Sequence, residues 1–310
     1  MRILLALMMM MLSVPSMYYK SAARAYFSFK RILATSSREK IPSYNVFPPY
    51  LTSSSLYSTS MKDEVTPSGV VAVYKPIGWT SSDVVNKLKW IIINGEKEKL
   101  GITKDTKYKT KTKIGHGGTL DPLAEGVLVI GVGKGTKQLQ GYLSGDKGYR
   151  AVAVLGCEMD TQDCTGNVTE TMDCSHLRHE DIKQHIDTFR GKIEQIPPMF
   201  SALKKDGKRL YDLARNGMEV ERKARQVMVH DLEYLPRELP EFGLEVTCGG
   251  GVYIRTLIVD LARAVGGRAH MKNLLRTKQG IFTLEDCIHQ DKWNYQEICG
   301  GIHRCSERKK

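Results

Sequence analysis

The chain has 310 residues, 41% apolar and 26% charged, with a formal net charge of +12. That composition supports a buried core for one large or two ordinary domains and excludes a fibrous, low-complexity or wholly disordered chain. The charge is unevenly placed: residues 1–60 hold seven Lys/Arg against the single acid Glu39, residues 92–113 hold seven lysines against three acids, and only +2 is left elsewhere. The overall charge is therefore weak support for nucleic-acid binding; a basic surface must come from local placement.

In chain order, Arg2, Lys20, Arg24, Lys30, Arg31 and Arg38 alternate with Ser, Ala and aromatics, with no acid before Glu39. That is the profile of an organelle transit segment, so a mitochondrion or plastid is expected. The apolar run Ile3–Leu12 is too short to span a bilayer. Met61 is a candidate internal start that would give a nuclear or cytoplasmic form. Residues 1–65 read as leader and linker, 66–285 as the globular domain and 286–310 as a short tail.

The globular part opens with a strand at Gly69–Tyr74, followed by a turn at Lys75–Gly78. Ser81, Ser82 and Asp83 offer an N-cap for an amphipathic helix over 84–93. Residues 94–113 lack apolar periodicity and read as an exposed lysine-rich loop. After a glycine-rich segment at 113–126, Val127–Val132 reads as a buried strand. A helix at Thr136–Leu143, a strand at Tyr149–Leu155 and a polar turn at Asp160–Gly166 come next. Then follow a helix at His179–Phe189, a break at Ile196–Ala202, a short helix at Leu210–Arg215, and strands at Val227–Tyr234 and Phe242–Cys248. An amphipathic helix at Tyr253–Val265 and a strand at Phe282–Leu284 close the pattern. Helices and hairpin-like strand pairs are mixed without strict alternation, so the fold class is α+β.

The generic cofactor motifs fail. Gly135 separates Lys134 from Thr136 and breaks a P-loop; no GxGxxG is completed, and no GxSxG elbow exists. Seven cysteines, an odd number with no CxxC pair, do not form a disulfide framework. Cys299, His303 and Cys305 lack a fourth spaced ligand, so no metal site is expected. No cofactor is expected either.

Lys113–Gly126, Lys-Ile-Gly-His-Gly-Gly-Thr-Leu-Asp-Pro-Leu-Ala-Glu-Gly, is the most informative segment. Its glycines let backbone approach a ligand closely. Asp121 is the acid within it, and by itself reads either as a site carboxylate or as a turn-former before Pro122. Taken with later segments it resembles the catalytic motif of the TruB family of RNA pseudouridine synthases. The likeness continues through Lys75–Ser81, Lys147–Tyr149, Asp160–Gly166, Pro197–Lys204 with Asp206–Gly217, Cys248–Leu257 and Leu274–Thr277. It covers roughly residues 68–285, and the Gly-Gly-Thr loop looks like the eukaryotic branch.

The resemblance implies the pseudouridine synthase fold, a mixed or antiparallel sheet with a central RNA-binding cleft, and isomerisation of uridine to pseudouridine without a cofactor. It implies tRNA as partner, with uridine-55 of the T-loop as target, possible action on messenger RNA hairpins, and a monomer with no membrane partner. Asp121 would be the essential carboxylate, attacking C1′ or C6 or removing the 2′ proton. Arg255, otherwise a surface cation, would pair with it bidentately. Tyr149, otherwise a core aromatic, would stack on the target base with its hydroxyl near C5. His116, Tyr253, Leu274 and Lys147 would bind substrate, Leu274 as an apolar wall and Lys147 as a phosphate contact or loop buttress. Phe200 departs from the pattern, standing where Tyr is usual, and the residues after Thr283 are too few for a C-terminal PUA domain. Two rivals are a tRNA-binding or tRNA-folding protein in which catalysis is secondary and a phosphate-binding metabolic enzyme.

Overall fold

The computed structural model describes residues 67–103 and 106–307, with side chains described to residue 302. The leader, Met61, and the side chains of His303 and Cys305 lie outside the described residues.

The frame is a nine-stranded sheet. Its main path runs β1 (Gly69–Lys75), β3 (Glu125–Val132), β12 (Ala269–Gln279), β4 (Lys147–Leu155), β11 (Glu241–Cys248), β10 (Arg225–Leu235) and β7 (Gly191–Gln195); β2 (Ile114–His116) pairs with β3, and β13 (Phe282–Thr283) with β12. Every pairing is antiparallel except β12 with β3, where Leu275 and Arg276 lie against Glu125 and Gly126. Off the sheet sit two small hairpins, β5 (Cys157–Met159) with β6 (Val168–Thr171) and β8 (Lys204–Lys205) with β9 (Lys208–Arg209). Mixed strands with segregated helices make this an α+β fold.

Two helical layers cover the sheet. Helix α1 (Ser81–Lys99) places Val84, Leu88, Ile91 and Ile92 on the inner positions of β1 and β3. Thr80 caps it in a capping box with Asp83: the Asp83 amide donates to Thr80 Oγ1 at 3.0 Å and the Thr80 amide to Asp83 Oδ2 at 2.9 Å. On the larger side the helix Ile254–Ala264 buries Ile254, Leu257, Ile258 and Leu261 against Tyr149, Ala151, Phe242, Leu244 and Val246. The short helices are α2 (Leu139–Ser144), α3 (His179–His185) and α4 (Leu210–Arg215), which makes Ile254–Ala264 α5.

Four local expectations are corrected. α1 runs to Lys99, six residues past the expected end. Gly95 is needed inside the helix: a Cβ there would lie 2.1 Å from the ring of Tyr295. Residues 94–99 of the expected lysine-rich loop are therefore helical, while 101–103 and 106–113 are irregular, with Lys107, Lys109, Lys111 and Lys113 exposed. Thr136–Leu143 is a 3-10 turn (Gly133–Gln138) followed by α2 rather than one helix. β12, for which no strand was expected, is the third strand of the path. Finally, residues after 285 are not a separate tail: Ile288, Trp293, Ile298 and Ile302 are buried with β1, β3 and α1, the last two on α6 (Tyr295–Glu307).

Candidate active site

A cavity of about 640 Å³ opens beside the glycine-rich loop. Its wall comes from the N-terminus of α1 (Thr80–Ser82), the loop from His116 to Pro122, the turn at Thr161–Thr165, Phe200–Ala202, the basic stretch reaching α4, and Arg255.

Asp121 stands on this wall with its side chain one-third exposed, its Oδ2 3.0 Å from Nε of Arg255. Arg255 lies in the first turn of α5, where the helix macrodipole opposes a cation. Its partners hold it there. Nη1 donates to the Thr161 carbonyl at 2.6 Å and Nη2 to the Phe200 carbonyl at 2.9 Å, while Asp163 Oδ2 lies 3.9 Å from Nη1. Asp121 approaches Nε, while the other two nitrogens bridge two separate wall segments. One nearly buried guanidinium ties three parts of the cavity together. Phe200 serves Arg255 through its backbone oxygen, so the missing hydroxyl does not touch that link.

The loop itself is fixed from β12. Arg276, wholly buried, donates from Nε to the Val127 carbonyl at 2.7 Å and from its terminal nitrogens to those of Gly118 at 3.3 Å and Thr119 at 3.5 Å. Gln279 receives the Val129 amide at 3.0 Å and donates to the Gly117 carbonyl at 2.8 Å. Gly126 shows why glycine is required here: its φ is +107°, and a Cβ would sit 2.3 Å from the Arg276 carbonyl oxygen. On the other flank Lys75, also fully buried, donates to the carbonyls of Pro76 at 2.9 Å and Pro122 at 3.5 Å. Burial lowers its pKa to about 8, against the opposing pull of Asp121.

The expected substrate-facing residues divide. His116 lines the cavity; its Nδ1 accepts the Gly118 amide at 3.4 Å, and burial, then Arg276, lowers its pKa. Tyr149, Tyr253 and Leu274 do not line the wall; Tyr149 and Leu274 belong to the core behind it, and Tyr253 is half-buried. Tyr149 is nearly enclosed; burial raises its phenol, and the neighbouring Arg276, its partner across the β4–β12 ladder, opposes the rise. Tyr253 precedes α5, its backbone clasped by the Gln195 side chain at 3.0 and 3.3 Å, and burial raises its phenol. Of the two roles expected for Lys147, its contacts fit the buttress: its buried ammonium donates to the Leu143 and Gly145 carbonyls at 2.9 and 2.6 Å, closing the end of α2. It buttresses.

Several wall residues were not singled out from sequence. Asp163 is nearly buried and gathers the turn around itself, accepting from Thr161 Oγ1 at 2.9 Å and the Thr165 amide at 3.0 Å. On the same wall Tyr211 has the guanidinium groups of Arg209 and Arg215 at 5.6 and 5.5 Å from its ring centre. The interleaving of cations with an aromatic over 204–215 was the available signal for this face.

The TruB family pseudouridylate synthase (N terminal domain) profile matches residues 105–254. The chain is 46% identical over 242 residues to pseudouridylate synthase TRUB1 of Homo sapiens, covering 77% of this chain and 69% of that protein. It is 42% identical over 214 residues to tRNA pseudouridine synthase B of Phocaeicola vulgatus, covering 69% of this chain and 86% of that one. Among solved structures it is similar to a chain of a Cbf5-Nop10-Gar1 complex, at 29% identity and a TM-score of 0.51, covering 83% of this chain but spanning only 60% of that one. With the sheet, the loop and the Asp121–Arg255 pair in place, these likenesses assign the chain to the TruB family of pseudouridylate synthases.

Proposed function

We propose that the chain isomerises uridine to pseudouridine in tRNA, at uridine-55 of the T-loop, with Asp121 as the catalytic carboxylate. The observation that carries this reading is Asp121 on the wall of an open cavity, held by a guanidinium that has no freedom to leave it. The reaction breaks the N1–C1′ bond, turns the uracil, and forms C5–C1′. The hydrogen on C5 is lost as a proton and N1 gains one, so nothing is oxidised and no group is transferred. A fixed carboxylate in a preorganised cavity suits such chemistry.

The target nucleotide must leave its stack to reach Asp121, at a cost of a few kcal/mol that is least for a base already in a loop. Arg209, Tyr211 and Arg215 offer that nucleotide a flat face and positive charge on the same wall as Asp121. Tyr149, packed behind the wall with its hydroxyl beside Arg276, is in this reading the ring that meets the base edge and its C5 once the nucleotide has entered. Because a stem-loop is the recognised shape, messenger RNA hairpins that copy the T-arm are substrates as well.

The test is incubation of the full chain with an unmodified tRNA transcript and mapping of pseudouridine. Modification at the T-loop uridine is expected, and Asp121→Asn should abolish it while tRNA binding persists. Product from the Asp121→Asn variant would overturn the role of the carboxylate. Modification elsewhere would overturn the T-loop target. A wild type that binds tRNA and makes no product would leave the tRNA-binding reading in its place.

A further inference from the structure

The lysine-rich segment before the loop has an order that its composition does not require. Residues 106–113 read Thr-Lys-Tyr-Lys-Thr-Lys-Thr-Lys, four lysines and no acid. Lys107, Lys109, Lys111 and Lys113 are exposed, whereas Tyr108 and Thr110 are half-buried and Thr112 is buried. That alternation is the signature of an extended chain, in which every second side chain shares a face at about 6.6 Å intervals. The inward residues are tied to a buried carboxylate. Glu96, on α1 and wholly enclosed, accepts from Tyr108 Oη at 3.1 Å and from Thr112 Oγ1 at 2.8 Å.

The anchor sets where the lysines lie. Glu96 is fifteen residues along α1 from Ser81, a wall residue of the cavity, hence about 22 Å away along the helix axis. From that point the segment returns toward the cavity. The Lys113 carbonyl accepts the Gly133 amide at 2.8 Å, and the chain enters β2, whose His116 is again on the wall. Among the described residues none of the four lysines forms an ion pair. A segment that only kept the surface soluble would gain nothing from a fixed spacing, and ordering it costs about 1–2 kcal/mol of entropy per residue. Tyr108 and Thr112 on Glu96 offset that cost.

We infer that Lys107, Lys109, Lys111 and Lys113 form a comb that binds the phosphate backbone of the RNA stem adjoining the target loop. The inference rests on the reading of the cavity as the site of the target nucleotide. An evenly spaced row of ammonium groups, lacking aromatic or planar partners on its exposed face, matches a repeating polyanion and reads no base edges. It lengthens the RNA path outward from Asp121 by about 20 Å, the span of four positions two residues apart in an extended chain.

The test uses the full chain with all four lysines replaced by Gln (K107Q, K109Q, K111Q and K113Q together), and separately Glu96→Gln, which keeps the lysines and loosens their spacing. Probes are an unmodified T-arm stem-loop and a single-stranded oligonucleotide carrying the loop alone. The fourfold variant is expected to bind the stem-loop roughly 10–100-fold more weakly, with the slope of log K against log salt flatter by about 3, since each lost phosphate contact contributes about 0.7–0.9. The loop-only oligonucleotide should bind both proteins alike. Glu96→Gln should weaken stem-loop binding about 3–10-fold, with a smaller change in slope. Unchanged affinity and slope in a fourfold variant that unfolds at the wild-type temperature would overturn the comb. Equal losses on both probes would overturn its assignment to the stem, and wild-type affinity in the Glu96→Gln variant would overturn the anchor. All readouts are binding, so a wild type that binds the stem-loop without isomerising it refutes the proposed function and leaves the comb standing.

Discussion

Arg255→Lys keeps the charge and removes the geometry, which makes it the sharpest probe of the site. The guanidinium meets Asp121 through Nε and the carbonyls of Thr161 and Phe200 through its two terminal nitrogens. A lysine ammonium is a single point on a flexible stem and can serve one of these three places at a time. Two charge-assisted hydrogen bonds are lost, each contributing about 1.5–3 kcal/mol. Water from the adjoining cavity re-solvates the freed carbonyls, so a net penalty on the order of 2–4 kcal/mol is expected. If that penalty falls on the positioning of Asp121, the rate drops by about 30- to 1,000-fold, at one decade per 1.36 kcal/mol. The assay is single-turnover release of label from C5-tritiated uridine in a tRNA transcript, with urea unfolding as the measure of fold. The expected result is a large loss of rate with only partial loss of stability. A variant that releases label within about threefold of wild type would refute the claim that the three-way clasp, rather than charge alone, sets Asp121.

Two further outcomes test the frame. Lys75 and Lys147 are both lowered by burial from 10.5 to about 8, so above pH 8 each is neutral in the folded state while still charged in the unfolded one. Stability should therefore rise between pH 8 and 9 by about 1 kcal/mol per lysine. Above pH 9 burial of Cys248 and Cys287, whose thiols rise to about 12, acts in the opposite direction. Urea titrations should show the rise halved in Lys147→Met, and a flat wild-type profile would contradict the burial of both ammonium groups. Ending the chain after Glu285 removes Ile288, Trp293, Ile298 and Ile302 from the core. At about 1.5–3 kcal/mol for each buried side chain this approaches the whole stability of a domain, about 5–15 kcal/mol. Residues 66–285 alone should not fold cooperatively, and a sharp thermal transition would show the C-terminal helix to be dispensable.

Much of the site was legible because its chemistry is written in short contiguous segments. Asp121 with its glycines, and Arg255 after Gly249–Gly251, are ambiguous singly and acquire their roles from the resemblance that the ordered segments carry together. What holds them was not legible. β12 reads Ala-His-Met-Lys-Asn-Leu-Leu-Arg-Thr-Lys-Gln, and irregularities at Met271/Asn273 and Arg276/Lys278 break its alternation, so no period of two survives. Arg276 and Lys75 look like surface cations in sequence, yet both are fully buried on backbone carbonyls that only the folded loop presents. For Lys147 the resemblance left two roles open, phosphate contact or buttress, and only the folded end of α2 shows which carbonyls its ammonium meets. The C-terminal helix did carry a readable signal, apolar positions at 295, 298 and 302, but its Cys-Gly-Gly step and short length hid it.

The parallel pairing of β12 with β3 has a consequence for the order in which the molecule becomes competent. Arg276 and Gln279 grip a loop about 150 residues earlier in the chain, and β12, which carries both, is synthesised after every other strand of the main path. Such distant partners make closure a late event in folding. A nascent chain emerging from the ribosome carries Asp121 early, with its loop held only on the side of Lys75 and Ser81. It therefore meets cellular RNA without a formed site until its last strand is out. The enzyme is switched on by its own completion.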